Sequence, residues 1–320
     1  MRSQRIIREP VYHHNLSGLE LYNLEIEPSG TATFWDLCTQ LVSLIIEEVA
    51  VAELPVRSTT FDRLQRLVLC LKSWNPIERQ LEWITQCPNL TSLNWSYSSE
   101  DRPTSRFMRH FVPGTWPQLN TVILDGIEFT DTQLARVIGA MQDLKSLTVR
   151  TCEVGSCFLE ALRHHSRTLT ALSTTFCEVS MPSLVPEIMA SFPHLESLYA
   201  EAVMSQDFID GPPWVCEHAL KVLGIEISFS LNQGADYQRQ VLQRISRLTN
   251  LNELILDRGH RTKNSLNLRL ENGLDQLATL KQLKKLGLHP GMELPGVRDV
   301  EVWILLKILF MTWQLKWSGS

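Results

Sequence analysis

The chain has 320 residues, 44% apolar and 20% charged, with a formal net charge of −5. That length can bury a sizeable core, and that balance offers no general attraction to nucleic acid or to an anionic membrane surface. The seven cysteines are an odd number, with no CxxC pair and no histidine at zinc-finger spacing, which speaks against a disulfide framework and against a structural zinc site. Residues 1–15, MRSQRIIREPVYHHN, carry charges but no continuous apolar stretch, so they do not read as a secretory signal. Reduced thiols in the cytoplasm or nucleus are therefore expected.

From Leu16 onward one frame, L-x-x-L-x-L, keeps returning, with other residues in some of its slots, such as Thr174 in place of the third leucine. It reads LSGLELYNL from Leu16, LVSLIIEEV from Leu41, LQRLVL from Leu64, LTSLNW from Leu90 and LNTVILDGI from Leu119. It continues as LKSLTVRTC from Leu144, LTALSTTFC from Leu169, LESLYAEAV from Leu195, LKVLGI from Leu220, LNELIL from Leu251 and LKKLGL from Leu283. A single such match means little, because leucine is common. Eleven of them at a 20–32-residue rhythm are the signature of a leucine-rich repeat.

Between the matches the apolar residues shift to three- and four-residue spacing in IERQLEWITQC, DTQLARVIGAMQ, SCFLEALRHHS and YQRQVLQRISRL, which predicts helices. Asp131 is the expected N-cap of the second, and Asn75 before Pro76 that of the first. The fold expected is α/β: one leucine-rich-repeat solenoid of about eleven repeats, a horseshoe with a concave parallel sheet and convex helices. Residues 1–15 form an N-terminal segment, 16–296 the repeats and 297–320 a C-terminal capping helix. The apolar run Val302 to Trp313 within that last segment is shorter than the roughly 20 residues a membrane helix needs, so no membrane contact is expected.

The string CEV occurs at Cys152 and again at Cys177. Both cysteines fall in the ninth slot of the frame, so they are expected as buried free thiols in consecutive coils, not as metal ligands. His164 and His165 are adjacent on a predicted helix and read as part of a solvated convex face. KQLKK at 281–285 reads as an exposed corner. No phosphate loop, GxSxG elbow or HExxH appears, so no enzyme, cofactor or metal is expected.

Strand alternation turns frame positions three, five and seven toward the concave face. Position seven reads Tyr22, Glu47, Cys70, Ser96, Asp125, Arg150, Thr175, Glu201, Glu226, Asp257 and His289. Three successive carboxylates, Glu201, Glu226 and Asp257, would sit on strands roughly 4.8 Å apart, where like charges repel by about 0.9 kcal/mol in water. A protein partner with a basic segment would relieve that repulsion. Tyr199 beside Glu201 is the expected aromatic anchor, and Arg150 is expected to pair with Asp125.

Four phrases go beyond the frame: FWDLCTQLVSL (34–44), PPWVCEHALKVLGI (212–225), ISRLTNLNELILD (245–257) and LNLRLENGLDQLATLKQLKKLGL (266–288). With them the chain resembles the ribonuclease-inhibitor-like leucine-rich-repeat proteins, especially the fungal F-box-like group. The resemblance implies a non-catalytic protein–protein recognition scaffold, and specifically the substrate-binding arm of an F-box-type ubiquitin ligase receptor. The alternative is a free-standing adaptor or inhibitor of one protein. No F-box is visible in the residues ahead of Leu16, so a Skp-type adaptor is expected only if an F-box lies upstream.

Overall fold

The structure, a computed structural model, describes residues 16–51, 53–55, 59–71, 76–97, 104, 107–229, 235–257 and 273–288. The expected N-terminal segment 1–15, the end of the repeats at 289–296, the capping helix at 297–320, His289 and the Asn75 cap lie outside them.

Each frame match forms one strand. The strands are β1 Gly18–Tyr22, β2 Ser43–Val51, β3 Arg66–Leu71, β4 Ser92–Ser96, β5 Thr121–Asp125 and β6 Ser146–Arg150. They continue as β7 Ala171–Thr175, β8 Ser197–Met204, β9 Val222–Ser228, β10 Glu253–Asp257 and β11 Lys285–Leu288. All pair in parallel, in chain order, as they must when each coil returns by a crossover on the other side. The protein is an α/β leucine-rich-repeat solenoid, and strand number serves below as coil number.

The fourth frame position forms one register line through the sheet: Leu44, Leu67, Leu93, Val122, Leu147, Leu172, Leu198, Leu223, Leu254 and Leu286. All but the half-buried Leu286 are buried, and so are the position-one residues from Leu41 to Leu283. In β4, β5 and β7 the residues alternate half-buried and buried, because one face packs inward and the other meets solvent.

A second ladder runs beside the leucines. The position-two carbonyl of every coil accepts two backbone N–H groups from the next: Ser17 from Val42 and Ser43, Asn120 from Lys145 and Ser146, Asn252 from Lys284 and Lys285, and likewise in the coils between. The corner entering each strand thus has its polar groups satisfied within the stack, as buried backbone requires.

The convex side carries α1 Pro28–Cys38, α2 Ile77–Ile84, α3 Asp131–Gly139, α4 Ser156–Arg163, α5 Leu184–Ser191, α6 Ser205–Asp210 and α7 Ala235–Ile245. Most return an apolar stripe to the core, such as Leu134, Val137 and Ile138 of α3 or Phe158, Leu159 and Leu162 of α4, while the short α6 contributes Phe208. Not every return is helical: coils 4 and 10 use short 3-10 turns at Phe107–His110 and Leu274–Thr279. Trp35, Trp95, Trp116 and Trp214 are all buried; Trp95 takes a position-six slot, and its indole N–H donates to the buried Gln80 carbonyl at 3.0 Å.

Three local expectations change. Thr130, not Asp131, caps α3, in a capping box with Gln133. Asp131 reaches into the next coil, where its carboxylate accepts the N–H groups of Gly155 (2.8 Å), Cys157 (2.9 Å) and Phe158 (2.8 Å) at the start of α4. At α2 the capping position falls on Pro76 itself.

The third change is at His165, which is buried while His164 is exposed. Its Nδ1 accepts the Leu144 N–H (3.4 Å), which leaves Nε2 to donate to the Ile138 carbonyl (3.3 Å). Burial pulls its pKa below the ordinary histidine value. The turn after Arg163 rotates His165 inward, so it ties coil 6 to coil 5.

Cys152 and Cys177 are free and buried as expected. Their thiols donate to the Ile127 and Val149 carbonyls at 3.3 and 3.5 Å. Burial pushes them up to about 12 and about 11, which suppresses the reactive thiolate.

Candidate functional site: the concave face

Registers place frame positions three, five and seven in three rows across the inner sheet. In coils 1 to 5 the seventh row runs Tyr22, Glu47, Cys70, Ser96 and Asp125, each facing the next. At its near end the exposed Tyr22 hydroxyl donates to Glu20 (3.0 Å). At its far end Arg150 of coil 6 pairs with Asp125 at 2.9 Å, as expected. The middle of the face is small and neutral: Ser146, Thr148, Ala171 and Ser173 occupy positions three and five of coils 6 and 7.

The three acidic residues beyond do not form an even row. The pairing of β8 with β9 steps from Ala200↔Ile225 to Val203↔Ile227, so β8 carries one extra residue there, a bulge that re-aims the chain. Glu201 falls in it. Its Oε2 accepts the backbone N–H of Phe176 at 2.9 Å, tying coil 8 to coil 7. Glu226 and Asp257 are direct register partners, yet Glu226 is only 8% exposed; the side chain of Asp257 lies outside the described residues. Of the three, only Glu201 is placed as a partly open group on the face.

Tyr199 is held by a constellation that position seven did not reveal. It faces Gly224 across the β8–β9 register, and its ring lies over that glycine: a Cβ at residue 224 would stand 2.3 Å from Tyr199 Cδ1. The absence of a side chain at 224 gives the ring its bed, a close approach that only glycine permits. Burial, followed by the nearby Glu253 charge, raises the Tyr199 pKa above the ordinary value.

Glu253 is in turn bonded by Lys285 Nζ at 2.6 Å, and the two are register partners in row three. That hydrogen bond raises the Lys285 pKa. Farther along row five, a Cβ at Gly287 would lie 3.1 Å from Ile255 Cγ1, so Tyr199 and Ile255 each lean toward a glycine one coil on. The sequence signal for this group was row three, which is small or neutral in most coils until Glu253 and Lys285 bring opposite charges to neighbouring strands.

The face therefore offers ion pairs, a pinned aromatic ring and a neutral saddle between them. Those are means of holding a surface by shape and charge.

No protein-family model and no curated protein sequence matches the chain. Among solved structures it is similar to internalin C2 (inlC2) from Listeria monocytogenes str. 4b F2365, with TM-score 0.44 and 16% identity over 75% of this chain and 80% of that one. It is also similar to an internalin (inlF) from the same strain, with TM-score 0.48 and 17% identity over 84% of this chain and 66% of that one. A third is a chain of a TLR13–ssRNA13 complex, with TM-score 0.39 and 16% identity over 86% of this chain and 36% of that one. None of these shows the ribonuclease-inhibitor-like or F-box-like group. At such scores the likeness carries no statement about binding; the architecture rests on the strands and registers above.

Proposed function

We propose that the chain is a non-catalytic scaffold that holds a protein partner against its concave face. The observation that carries this reading is the Tyr199 ring bedded over Gly224 beside the Glu253–Lys285 pair, which spans coils 8 to 11 on an inner sheet face. An aromatic ring already immobilised costs little further entropy when a partner covers it, and tyrosine is among the residues that dominate interface energies. The partner's contacting segment is basic, drawn by Glu201 and Asp257, with Tyr199, Asp125 and Arg150 completing the surface and the buried Glu226 behind them. Its setting is the cytoplasm or nucleus.

The narrower form of the proposal is the substrate-reading arm of an F-box-type ubiquitin ligase receptor, supported by the four phrases that resemble the fungal F-box-like proteins. Capture from the source cell and mass spectrometry tests it: Skp-type adaptor and cullin peptides support the ligase form, whereas one dominant partner without them points to an adaptor or inhibitor. The surface itself is tested on the captured complex. Tyr199→Ala should weaken it at least tenfold, in the range of an interface hot spot. Reversal of the exposed convex residue Glu160, by Glu160→Lys, should leave it unchanged. If Glu160→Lys releases the partner and Tyr199→Ala does not, the concave reading is wrong.

A further inference from the structure

One residue at the C-terminal rim of the sheet is explained neither by packing nor by backbone economy. Phe176 is 63% exposed, the most exposed of the large apolar side chains among the described residues. It also sits at φ 57°, in the left-handed region that bulky side chains avoid. The conformation recurs at the eighth frame position of coils 1, 2, 5 and 6, with φ 52° at Asn23, 54° at Glu48, 72° at Gly126 and 59° at Thr151. Asparagine and glycine answer the demand at little cost. In coil 7 a phenylalanine stands there and leaves its ring in water.

The surroundings say what the ring faces. The Phe176 N–H donates to Glu201 Oε2 at 2.9 Å, so a half-buried carboxylate is fixed beside the aromatic residue. Two residues on, the exposed Glu178 is the register partner of Glu153 in a short parallel pair. The cation nearest in frame, Arg150, is bound to Asp125 at 2.9 Å. The rim around an exposed aromatic ring is therefore carboxylate-rich.

We propose that Phe176 and Glu201 form an arginine-recognition point for the protein partner. A guanidinium of the partner stacks on the Phe176 ring and pairs with the Glu201 carboxylate, with Glu178 adding attraction. Arginine fits better than lysine because its planar cation lies flat on an aromatic face while presenting a fork to a carboxylate. This rests on the reading of the concave side as the partner surface and names the partner chemistry at one end of it.

The test uses the full chain and two peptides of equal charge, hexa-arginine and hexa-lysine, titrated while the ring signals of 13C-labelled phenylalanine are followed by NMR. Hexa-arginine should shift the Phe176 ring resonance and bind roughly fivefold more tightly than hexa-lysine. Phe176→Leu should abolish that preference, and Glu201→Gln should weaken both peptides. Phe176→Asn, which suits the left-handed backbone, should keep the melting temperature at or above that of the parent and still lose the preference, so that lost binding is not lost folding. Equal affinities that Phe176→Leu leaves unchanged, or no binding of hexa-arginine, would overturn the proposal. If hexa-arginine binding ignores Phe176→Leu but falls with Glu253→Gln, the concave surface stands and only this contact point fails. If it ignores both, the two readings fail together.

Discussion

Coils 5 to 7 and coils 8 to 10 are built on the same leucine frame and solve different problems. In coils 5 to 7 the strands are five residues long and register runs unbroken from Thr121 to Thr175. Each coil is stapled to the next by a polar group: Asp131 to the start of α4, His165 to Ile138 and Leu144, Cys177 to Val149. In coils 8 to 10, β8 carries a bulge, Gly224 makes room for a ring, and Glu226 is buried at a position meant for solvent. The convex side there is held by Arg244, which donates to the carbonyls of Phe208, Ile209, Gly211 and Pro212 and stacks 4.7 Å above Trp214. The difference teaches that the leucine ladder is indifferent to what the concave rows do. Because Leu172, Leu198, Leu223 and Leu254 stay in line through the irregular part, residues on the open face can depart from the pattern without cost to the stack.

The strongest way to break this comparison is to cut the ladder. Leu172→Ala removes a fully buried side chain in the regular part and should cost on the order of 2–5 kcal/mol, read as a lower urea midpoint. A loss under about half a kcal/mol would mean that the repeat is mis-phased. Arg244→Met tests the irregular part: with carbonyls at the end of α6 left without donors, a loss of about 1–3 kcal/mol is expected. Hydrogen exchange should quicken in coils 8 and 9 and stay unchanged in coils 5 to 7.

Asp131→Ala should cost about 1 kcal/mol, the range of a lost helix cap, with faster amide exchange at Gly155, Cys157 and Phe158 alone. His165 sharpens the comparison through pH. Its folded pKa lies below the ordinary value of 6.5 because burial penalises the charged ring, an effect larger than the opposing influence of the Ile138 carbonyl and Asp143 and added to by His164. The unfolded chain therefore takes the proton more readily, so this contribution to stability is complete above about pH 6.5 and is lost as pH falls through and below it. Denaturation midpoints measured from pH 8 down to 5 should show that slope, and His165→Gln should flatten it.

The smallest effect is at Gly224. A Cβ there displaces a side-chain ring, not backbone, so Gly224→Ala should cost under about 1 kcal/mol. It should also push the Tyr199 ring out of its half-buried bed, so that one tyrosine titrates closer to pH 10 when followed by ultraviolet absorbance. An unchanged titration would show that the ring does not depend on its glycine.

The coil count, the parallel sheet, the buried thiols and the Asp125–Arg150 pair were all legible in the chain, because each depends on a residue's place in a repeating frame. What escaped depends on the neighbouring coil. Asp131 looked like a cap for its own helix, since its tie to α4 needs the stacking distance between coils. His165 looked solvated because the helix ends two residues earlier and the turn reverses its direction. Glu201 was aligned with Glu226 by counting residues, and a one-residue bulge is invisible to counting. Glu253 and Lys285 are 32 residues apart, and Lys285 belongs to the KQLKK run that reads as a solvated corner; only the register of β10 with β11 sets the two charges side by side.

Hydroxyl-radical footprinting of the captured complex against the free chain reads side-chain cover residue by residue and so locates the partner. With the partner on the concave face, Tyr199 and Phe176 lose reactivity in the complex, while the exposed Val112 and Val215, in the loops between strands, keep theirs. Protection of Val112 and Val215 with Tyr199 and Phe176 unchanged would place the partner outside the concave face and contradict it.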